Sequence, residues 1–158
     1  MTTQVLITQE SRAVEAWVRL LRGHAATRRS LDAELQRSHG LTVNDYEALL
    51  LLARAEDNHM RRVDLADGLQ LTPSGVTRLL DGLEALGFVE NATCARDARV
   101  TYAVLTDAGR RRLEEAASSH VAAIREVFED RYTEAELATL AELLGRLPRA
   151  DVVEECTP

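Results

Sequence analysis

Arginines stand at two places in the middle of the chain where guanidinium groups suit the binding of a polyanion. Arg78 ends a segment rich in hydroxyl side chains, and Arg96 and Arg99 flank Asp97 further along. Hydroxyl and guanidinium groups bind phosphate oxygens and base edges, and a neighbouring carboxylate holds a guanidinium in a fixed orientation. These residue types therefore indicate a nucleic-acid interface.

The first of these arginines lies on a helix whose two ends are marked in the sequence. Thr72 suits the N-cap, Pro73 suits the first helical position, and Gly87 suits a left-handed stop. One apolar stripe with three-and-four spacing is expected to face the core: Val76, Leu79, Leu80, Leu83 and Leu86. The opposite face, with Thr72 at its start, is expected to enter a major groove and contains Ser74, Gly75, Thr77, Arg78 and Asp81.

A preceding helix and a following β-hairpin complete this region. Residues 63–69 fit about two turns of helix, and the short connection that follows forces the sharp angle of a helix-turn-helix. Residues 88–93 and 100–105 are rich in β-branched and aromatic side chains and flank the polar loop 94–99. This hairpin is a wing, and Arg99 near its tip suits a minor groove. A helix-turn-helix pattern alone often arises by chance, but the ordered combination favours nucleic-acid binding.

The flanking segments fit long helices. Residues 8–39 have an apolar stripe that so small a neighbouring module cannot cover, so we expect a partner chain to cover it. Thr42 and Asp45 form the capping box of a second helix that is nearly apolar all round and therefore buried. The other expected elements are a short strand at 60–62 and capped helices at 106–128 and 133–148.

In these segments the chain resembles the MarR family of bacterial regulators. The most specific part is a wing signature, in which an Asp and an Arg separated by one residue precede a strand that ends in Leu-Thr and then a Gly. The resemblance covers nearly the whole chain in order and length. The residues that match best are 65–69, 76–84, 87–89 and 96–109.

The resemblance also implies roles for single residues. Arg99 would be the minor-groove arginine with Asp97 as its partner. The family commonly has a second arginine where this chain has Ala98, which implies weaker binding by the wing. The contacts of the recognition helix would be Ser74, Thr77 and Arg78.

Charge is distributed unevenly along the chain. The net charge is −7, which by itself argues against a polyanionic partner. Between Arg54 and Arg112, however, nine arginines balance nine acidic residues, so the whole excess lies outside the DNA-binding module. Affinity must therefore come from well-placed contacts rather than from bulk charge. The run Arg110 to Arg112 is either a further phosphate contact or a solvated surface.

Other kinds of chemistry have little support in the sequence. The four histidines are scattered, with neither a Cys/His cluster nor a catalytic motif, so we expect no metal, no cofactor and no enzymatic activity. Cys94 and Cys156 are too few and too far apart for a disulfide framework, so they are expected to be reduced thiols. The resemblance disfavours redox sensing, because the thiol-sensing relatives have their cysteine near the start of the first helix, where this chain has none. Without a long apolar run or a signal-like start, the protein is expected to be cytoplasmic and away from membranes.

A small-molecule effector is a further implication of the resemblance. Relatives commonly bind phenolic or other aromatic anions between the first helix, the second helix and the DNA-binding module. Trp17 and His24 share a face of the first helix, and Asp45 opens the second, so these three are the candidate ligand residues. Trp17 fits dimer core better than a ligand wall.

Together these features predict one mainly α domain with a small β wing. Residues 41–105 would form a winged helix-turn-helix module, and residues 8–40 and 106–148 a dimerisation bundle. The expected function is that of a homodimeric transcriptional regulator, most simply a repressor that binds a palindromic operator in double-stranded DNA and is released by a small aromatic or phenolic ligand. The alternative is a winged-helix module that binds protein or RNA and no duplex DNA.

Overall fold

The structure, a computed structural model, describes residues 11–93 and 100–148. These residues form a mainly helical fold with a small antiparallel sheet, as predicted. A 3-10 turn at Glu56–Asn58 precedes the first strand. The helices and strands are α1 Arg12–His39, α2 Val43–Arg54, β1 His59–Arg61, α3 Arg62–Leu69, α4 Pro73–Ala85, β2 Val89–Thr93, β3 Thr101–Leu105, α5 Asp107–Glu129 and α6 Glu134–Gly145.

The sheet has the strand order β1-β3-β2, with both pairs antiparallel. Ala103 at the centre of β3 pairs with Met60 on one side and Asn91 on the other. The third strand lies at His59–Arg61, one residue earlier than predicted, because Arg62 already belongs to the first turn of α3. The hairpin strands β2 and β3 each begin one residue later than the β-branched and aromatic segments 88–93 and 100–105 predicted, and they end at the predicted residues.

The hydrophobic core joins the C-terminal end of α1 with α2, α3, α4, the sheet and the first half of α5. Leu49, Leu65 and Leu80 are fully buried, one from each of the three central helices. The expected buried second helix is confirmed, since Arg54 is its only exposed residue. Thr42 and Asp45 form the predicted capping box, in which each side chain accepts a hydrogen bond from the backbone N–H of the other.

Two apolar residues of the helix-turn-helix do not lie in the core. Leu86 was assigned to the apolar stripe of α4, but the helix ends at Ala85 and Leu86 is 57% exposed as its C-cap. Val63 is 61% exposed in the first turn of α3. Gly87 does have the predicted left-handed backbone, with φ of 74°.

The chain divides into two compact units, with the boundary between His120 and Val121 within α5. In the second unit, the predicted capping box of Thr133 and Glu136 opens α6. None of the residues of α6 is buried. Among the described helices, none is both long and apolar enough to cross a membrane.

Candidate nucleic-acid interface

The start of α4 is held by a cap that its own sequence provides. The Gly75 N–H donates to Thr72 Oγ1 at 3.1 Å, and the hydroxyl oxygens of Thr72 and Ser74 lie 3.2 Å apart. Pro73 occupies the first helical position, where a missing N–H costs nothing. Thr72 and Ser74 are exposed, so this end of the helix offers hydroxyl groups and the positive end of the helix dipole to an anion.

The two sides of α4 differ sharply in burial. Val76, Leu80 and Leu83 are at most 2% exposed. On the opposite side Ser74, Thr77, Arg78 and Asp81 are all exposed, as predicted, whereas Gly75 is half-buried beneath the cap. Within residues 11–93 and 100–148, Arg78 and Asp81 form neither a hydrogen bond nor an ion pair.

The turn before α4 fixes the angle at which the helix leaves the core. Gln70 adopts a left-handed conformation with φ of 53°, and the Leu71 N–H donates back to the Ala66 carbonyl at 3.0 Å. Leu65, Ala66 and Leu69 anchor α3 in the core. The exposed side of α4 is therefore presented on a helix whose opposite side and preceding turn are both fixed.

The base of the wing is bonded to α4. The Asn91 side-chain amide on β2 donates to Glu84 Oε2 at 2.6 Å, and Thr106 Oγ1 donates to the Gly87 carbonyl at 2.7 Å. Gly109 in the first turn of α5 lies so close to Phe88, the residue before β2, that a Cβ there would be 2.1 Å from the Phe88 carbonyl oxygen. These contacts fix where the wing strands start relative to α4.

Most of the neighbouring arginines are already engaged. Arg61 donates twice to Asp64, at 2.7 and 2.8 Å, and this guanidinium keeps the pKa of the Asp64 carboxyl below its usual value. Arg110 donates to the side chain of Asn58. Arg112 lies over the Phe88 ring, 5.6 Å from its centroid. In the run 110–112 only Arg111 is exposed, so a phosphate contact from this run is expected from Arg111.

The predicted wing residues Arg96, Asp97 and Arg99, together with Cys94, lie outside the described residues. Their roles stay predictions. The strands that lead into the loop, β2 and β3, are paired up to Thr93 and Thr101. The described part of the interface therefore consists of α4 and the base of the wing.

Comparison with known proteins supports the same interpretation. A family model described as the MarR family matches residues 39–100. The structure of Sco3205, a MarR family transcriptional regulator from Streptomyces coelicolor in complex with DNA, is similar with a TM-score of 0.76 and 30% identity, covering 82% of this chain and 81% of that one. AbsC, another regulator of the family from Streptomyces coelicolor, is 32% identical, with a TM-score of 0.74 over 83% of this chain and 88% of that one. The chain belongs to the MarR family.

A curated relative is the HTH-type transcriptional repressor YetL of Bacillus subtilis (strain 168). It is 33% identical to this MarR-family chain over 108 residues. The alignment covers 68% of this chain but 64% of the repressor, so about a third of that protein has no counterpart in it.

The three candidate ligand residues of this MarR-family protein do not form one lined cavity. Trp17 is 60% exposed on α1, His24 is exposed on the same helix, and the Asp45 carboxylate is occupied by the capping box. An open groove of about 450 Å³ lies between α1 and α2, and none of the three lines it. The residues that line it are Arg28, Asp32, Ala33, Gln36, Thr42 and Asn44.

His120, one of the four scattered histidines, is buried at 5% exposure. Its ring lies 4.6 Å from the Tyr46 ring, and its Nδ1 has no partner among the described residues. Burial lowers the pKa of His120, while the carboxylates of Glu34 and Asp32 partly oppose this effect. No group of three potential metal ligands occurs in the described part of the chain. His120 is therefore a core residue that is held in its neutral form.

Sequence reasoning missed the residues that position the wing. The bond between Asn91 and Glu84 joins an exposed strand position to an exposed helix position, and neither residue is distinctive by itself. Gly109 stood in the wing signature without a structural reason. Glycine is a poor helix former, so its presence in the first turn of a helix could have indicated a close contact with another backbone segment.

Proposed function

We propose that this MarR-family protein is a sequence-specific, DNA-binding transcriptional regulator that acts as a homodimeric repressor on a palindromic operator. The observation that carries the proposal is the exposed side of α4, where Ser74, Thr77 and Arg78 are neighbours and Arg78 has no partner within the described residues. A guanidinium that is free to donate two parallel hydrogen bonds fits O6 and N7 of guanine. The DNA complex of Sco3205 and the repressor YetL give independent support.

The proposed dimer is supported by apolar side chains that lie outside the core. On α1, Val14, Trp17 and Leu21 are 38%, 60% and 51% exposed. In the second unit, Leu143 and Leu147 are 49% and 45% exposed. Apolar side chains repeated along one helix in this way favour association with another chain. Sedimentation equilibrium tests the dimer: Leu21→Glu is expected to shift the protein towards monomer, and a wild-type monomer at micromolar concentration would contradict the proposal.

Fluorescence anisotropy with the DNA upstream of the protein's own gene tests the role of α4. Arg78→Ala is expected to reduce the preference for this DNA over a scrambled duplex by about tenfold per half-site, because one bidentate base contact discriminates by 1–3 kcal/mol. Arg29→Ala, which removes an exposed arginine from α1, is the matched control and should bind as the wild type does. Equal discrimination by wild type and Arg78→Ala would refute the assignment.

The wing is proposed to add affinity without sequence preference. Arg99 would enter the minor groove with Asp97 as its partner, and Arg96 would contact a phosphate. Arg99→Ala is then expected to weaken binding to specific and scrambled duplexes alike and to reduce the dependence on salt concentration. If the wild type binds no duplex at all, the alternative of a protein- or RNA-binding winged helix replaces this proposal.

Release by a small aromatic or phenolic ligand is the last part of the proposal. Arg28 in the groove between α1 and α2 supplies a cation for an anionic ligand, and Trp17, His24 and Asp45 lie on the same two helices. Trp17 is the only tryptophan of the chain, so a change in tryptophan fluorescence on adding a ligand tests whether Trp17 belongs to the proposed site. A series of phenolic carboxylates should change this fluorescence and release DNA over the same concentration range. Binding that leaves the DNA complex intact would contradict the regulatory role.

A further inference from the structure

The hydroxyl group of Thr77, on the exposed side of α4, is already occupied. Its Oγ1 donates to the Pro73 carbonyl oxygen, one turn earlier in the helix, at 2.9 Å. A hydroxyl has a single hydrogen, so Thr77 cannot also donate to a base while this bond persists. The helix therefore removes the donor from Thr77 before any partner arrives.

The branching at Cβ decides what Thr77 presents to a partner. The rotamer that bonds the carbonyl of the preceding turn places Oγ1 over that turn, and the methyl group occupies a different position on the same carbon. Thr77 is exposed and its Oγ1 is engaged with the Pro73 carbonyl, so the methyl group is the part of this side chain that is left to contact a partner. An accepting lone pair on Oγ1 is the only polar alternative that remains.

The neighbours of Thr77 differ from it in chemistry. Thr72 and Ser74 offer paired hydroxyls at the helix start, which suit phosphate oxygens. Arg78 and Asp81 have no partners within the described residues; they offer a donor fork and an acceptor, which suit guanine and the amino group of cytosine. Among the four bases only thymine has a methyl group in the major groove, so only thymine matches an apolar contact from Thr77.

We propose that Thr77 is a specificity-determining residue whose methyl group contacts the C5 methyl group of a thymine in each half-site. The inference rests on the proposed function and extends it, because it names the base that this position selects. Arg78 would then supply a directional contact and Thr77 an apolar one at an adjacent base step. The half-site is expected to require a thymine next to the base pair that Arg78 contacts.

The test combines a change in the DNA with a matched pair of protein variants. The operator is first mapped by footprinting with the wild-type dimer, and each thymine in a half-site is then replaced by deoxyuridine, which removes only the C5 methyl group. Thr77→Ser keeps the hydroxyl and loses the methyl group. Thr77→Val keeps a methyl group and loses the hydroxyl. Thermal unfolding followed by circular dichroism checks that both variants fold like the wild type.

One thymine per half-site should stand out. Replacing it by deoxyuridine is expected to weaken wild-type binding about fourfold, the equivalent of about 0.8 kcal/mol for one buried methyl group. Thr77→Val should show the same fourfold loss on that duplex. Thr77→Ser should bind the thymine and deoxyuridine duplexes equally well, because the methyl group on the protein side is already missing.

Three results would overturn the inference. The first is a wild type that binds its operator but is insensitive to deoxyuridine at every position. The second is a Thr77→Ser variant that still distinguishes thymine from deoxyuridine, which would assign the contact to another residue. The third is a loss of operator affinity in Thr77→Val alone, which would assign the contact to the hydroxyl lone pair. In contrast, a wild type that binds no duplex refutes the proposed function itself, and the footprint reveals that failure before any variant is made.

Discussion

Helices α4 and α6 are both rich in leucine, yet they use leucine in opposite ways. In α4, Leu80 and Leu83 are at most 1% exposed against α2, α3 and the sheet. In α6 no residue is buried, and Leu143 remains 49% exposed. The comparison shows that the apolar content of a helix predicts that one side of it needs to be buried, but not whether the same chain supplies the residues that bury it. The apolar side of α4 is buried within the module, whereas no residue of α6 is buried, and under the proposed function a partner chain would cover α6.

Helix α1 contains both situations within its 28 residues. Leu35, near its C-terminal end, is fully buried in the core of the module. Trp17 and Leu21, about five and four turns earlier, are more than half exposed. The first part of α1 therefore resembles α6, and its last part resembles α4. Within this one helix the apolar side chains therefore change from exposed near the N-terminal end to buried in the core near the C-terminal end.

The strongest test of this comparison is a pair of leucine truncations. Leu80→Ala is expected to lower the free energy of unfolding by about 2–5 kcal/mol, because it leaves a cavity in a packed core. Leu143→Ala should change it by less than about 0.5 kcal/mol in dilute protein. Urea denaturation at several protein concentrations measures both. If the loss of unfolding free energy in Leu143→Ala grows with protein concentration, a partner chain covers α6 and the comparison is sharpened. If Leu143→Ala loses as much unfolding free energy as Leu80→Ala at every protein concentration, the comparison is wrong.

A pair of glycine substitutions tests how closely the wing base is packed. In Gly109→Ala the new Cβ meets the Phe88 carbonyl oxygen at 2.1 Å, so the backbone must shift, and we expect a loss of about 1–3 kcal/mol. The control Gly82→Ala lies inside α4 with no atom within 4 Å of the new Cβ. It should stabilise the protein by about 0.5–1 kcal/mol, because alanine favours a helix interior. Thermal unfolding of both variants gives the sign, and a neutral Gly109→Ala would disprove the tight contact.

The capping boxes of α2 and α6 allow a test with a smaller expected effect, one on a helix buried in the core and one on a helix with no buried residue. Thr42→Ala removes the capping box of a helix packed into the core and should cost about 1 kcal/mol of global stability. Thr133→Ala removes the same motif from α6, where we expect local fraying rather than global destabilisation. Urea denaturation measures the first effect, and amide hydrogen exchange of α6 measures the second. Equal global costs would mean that α6 unfolds together with the core.

The smallest expected effect is a pH dependence of the unfolding free energy that arises from His120 in the buried core. Burial lowers the pKa of His120 below its ordinary value of 6.5, so the unfolded chain binds a proton at this residue more readily than the folded chain. Stability contributed by neutral His120 is therefore present above about pH 6.5 and falls as the pH drops below that value. His120→Gln should flatten the dependence of unfolding free energy on pH between 6.5 and 5.5. A pH dependence of the unfolding free energy that is the same in His120→Gln and in the wild type would contradict this assignment.

The elements that depend on local chemistry were predicted well. The caps Thr42, Thr72 and Thr133 and the left-handed Gly87 lie where they were expected, because each acts through hydrogen bonds or backbone angles within a few residues. The face of α4 that contains Arg78 also followed from helical periodicity alone. The prediction that Leu86 faces the core was wrong, because periodicity does not show how far the neighbouring elements extend along the helix.

Contacts between distant segments could not be predicted. The pairing of Asn91 with Glu84, the approach of Gly109 to Phe88 and the burial of His120 against Tyr46 depend on which segments meet in space. No residue in these pairs has a property that points to its partner. The positions of Trp17, His24 and Asp45 depend on tertiary structure in the same way, and so does any site that they form with a partner chain.

The sequence by itself determined the helix starts and stops, the hairpin strands and the polar side of α4, because these follow from interactions over one or two turns. Only the tertiary structure decided which leucines are buried, which arginines are already paired and how the wing base is joined to α4. Whether a side chain is buried or paired depends on which other segment packs against it, and the local sequence pattern describes only the segment that contains the side chain. For this reason Arg110 and Arg111 look equivalent in the sequence, yet in the fold Arg110 donates to the side chain of Asn58, which is 52 residues earlier, and Arg111 is exposed.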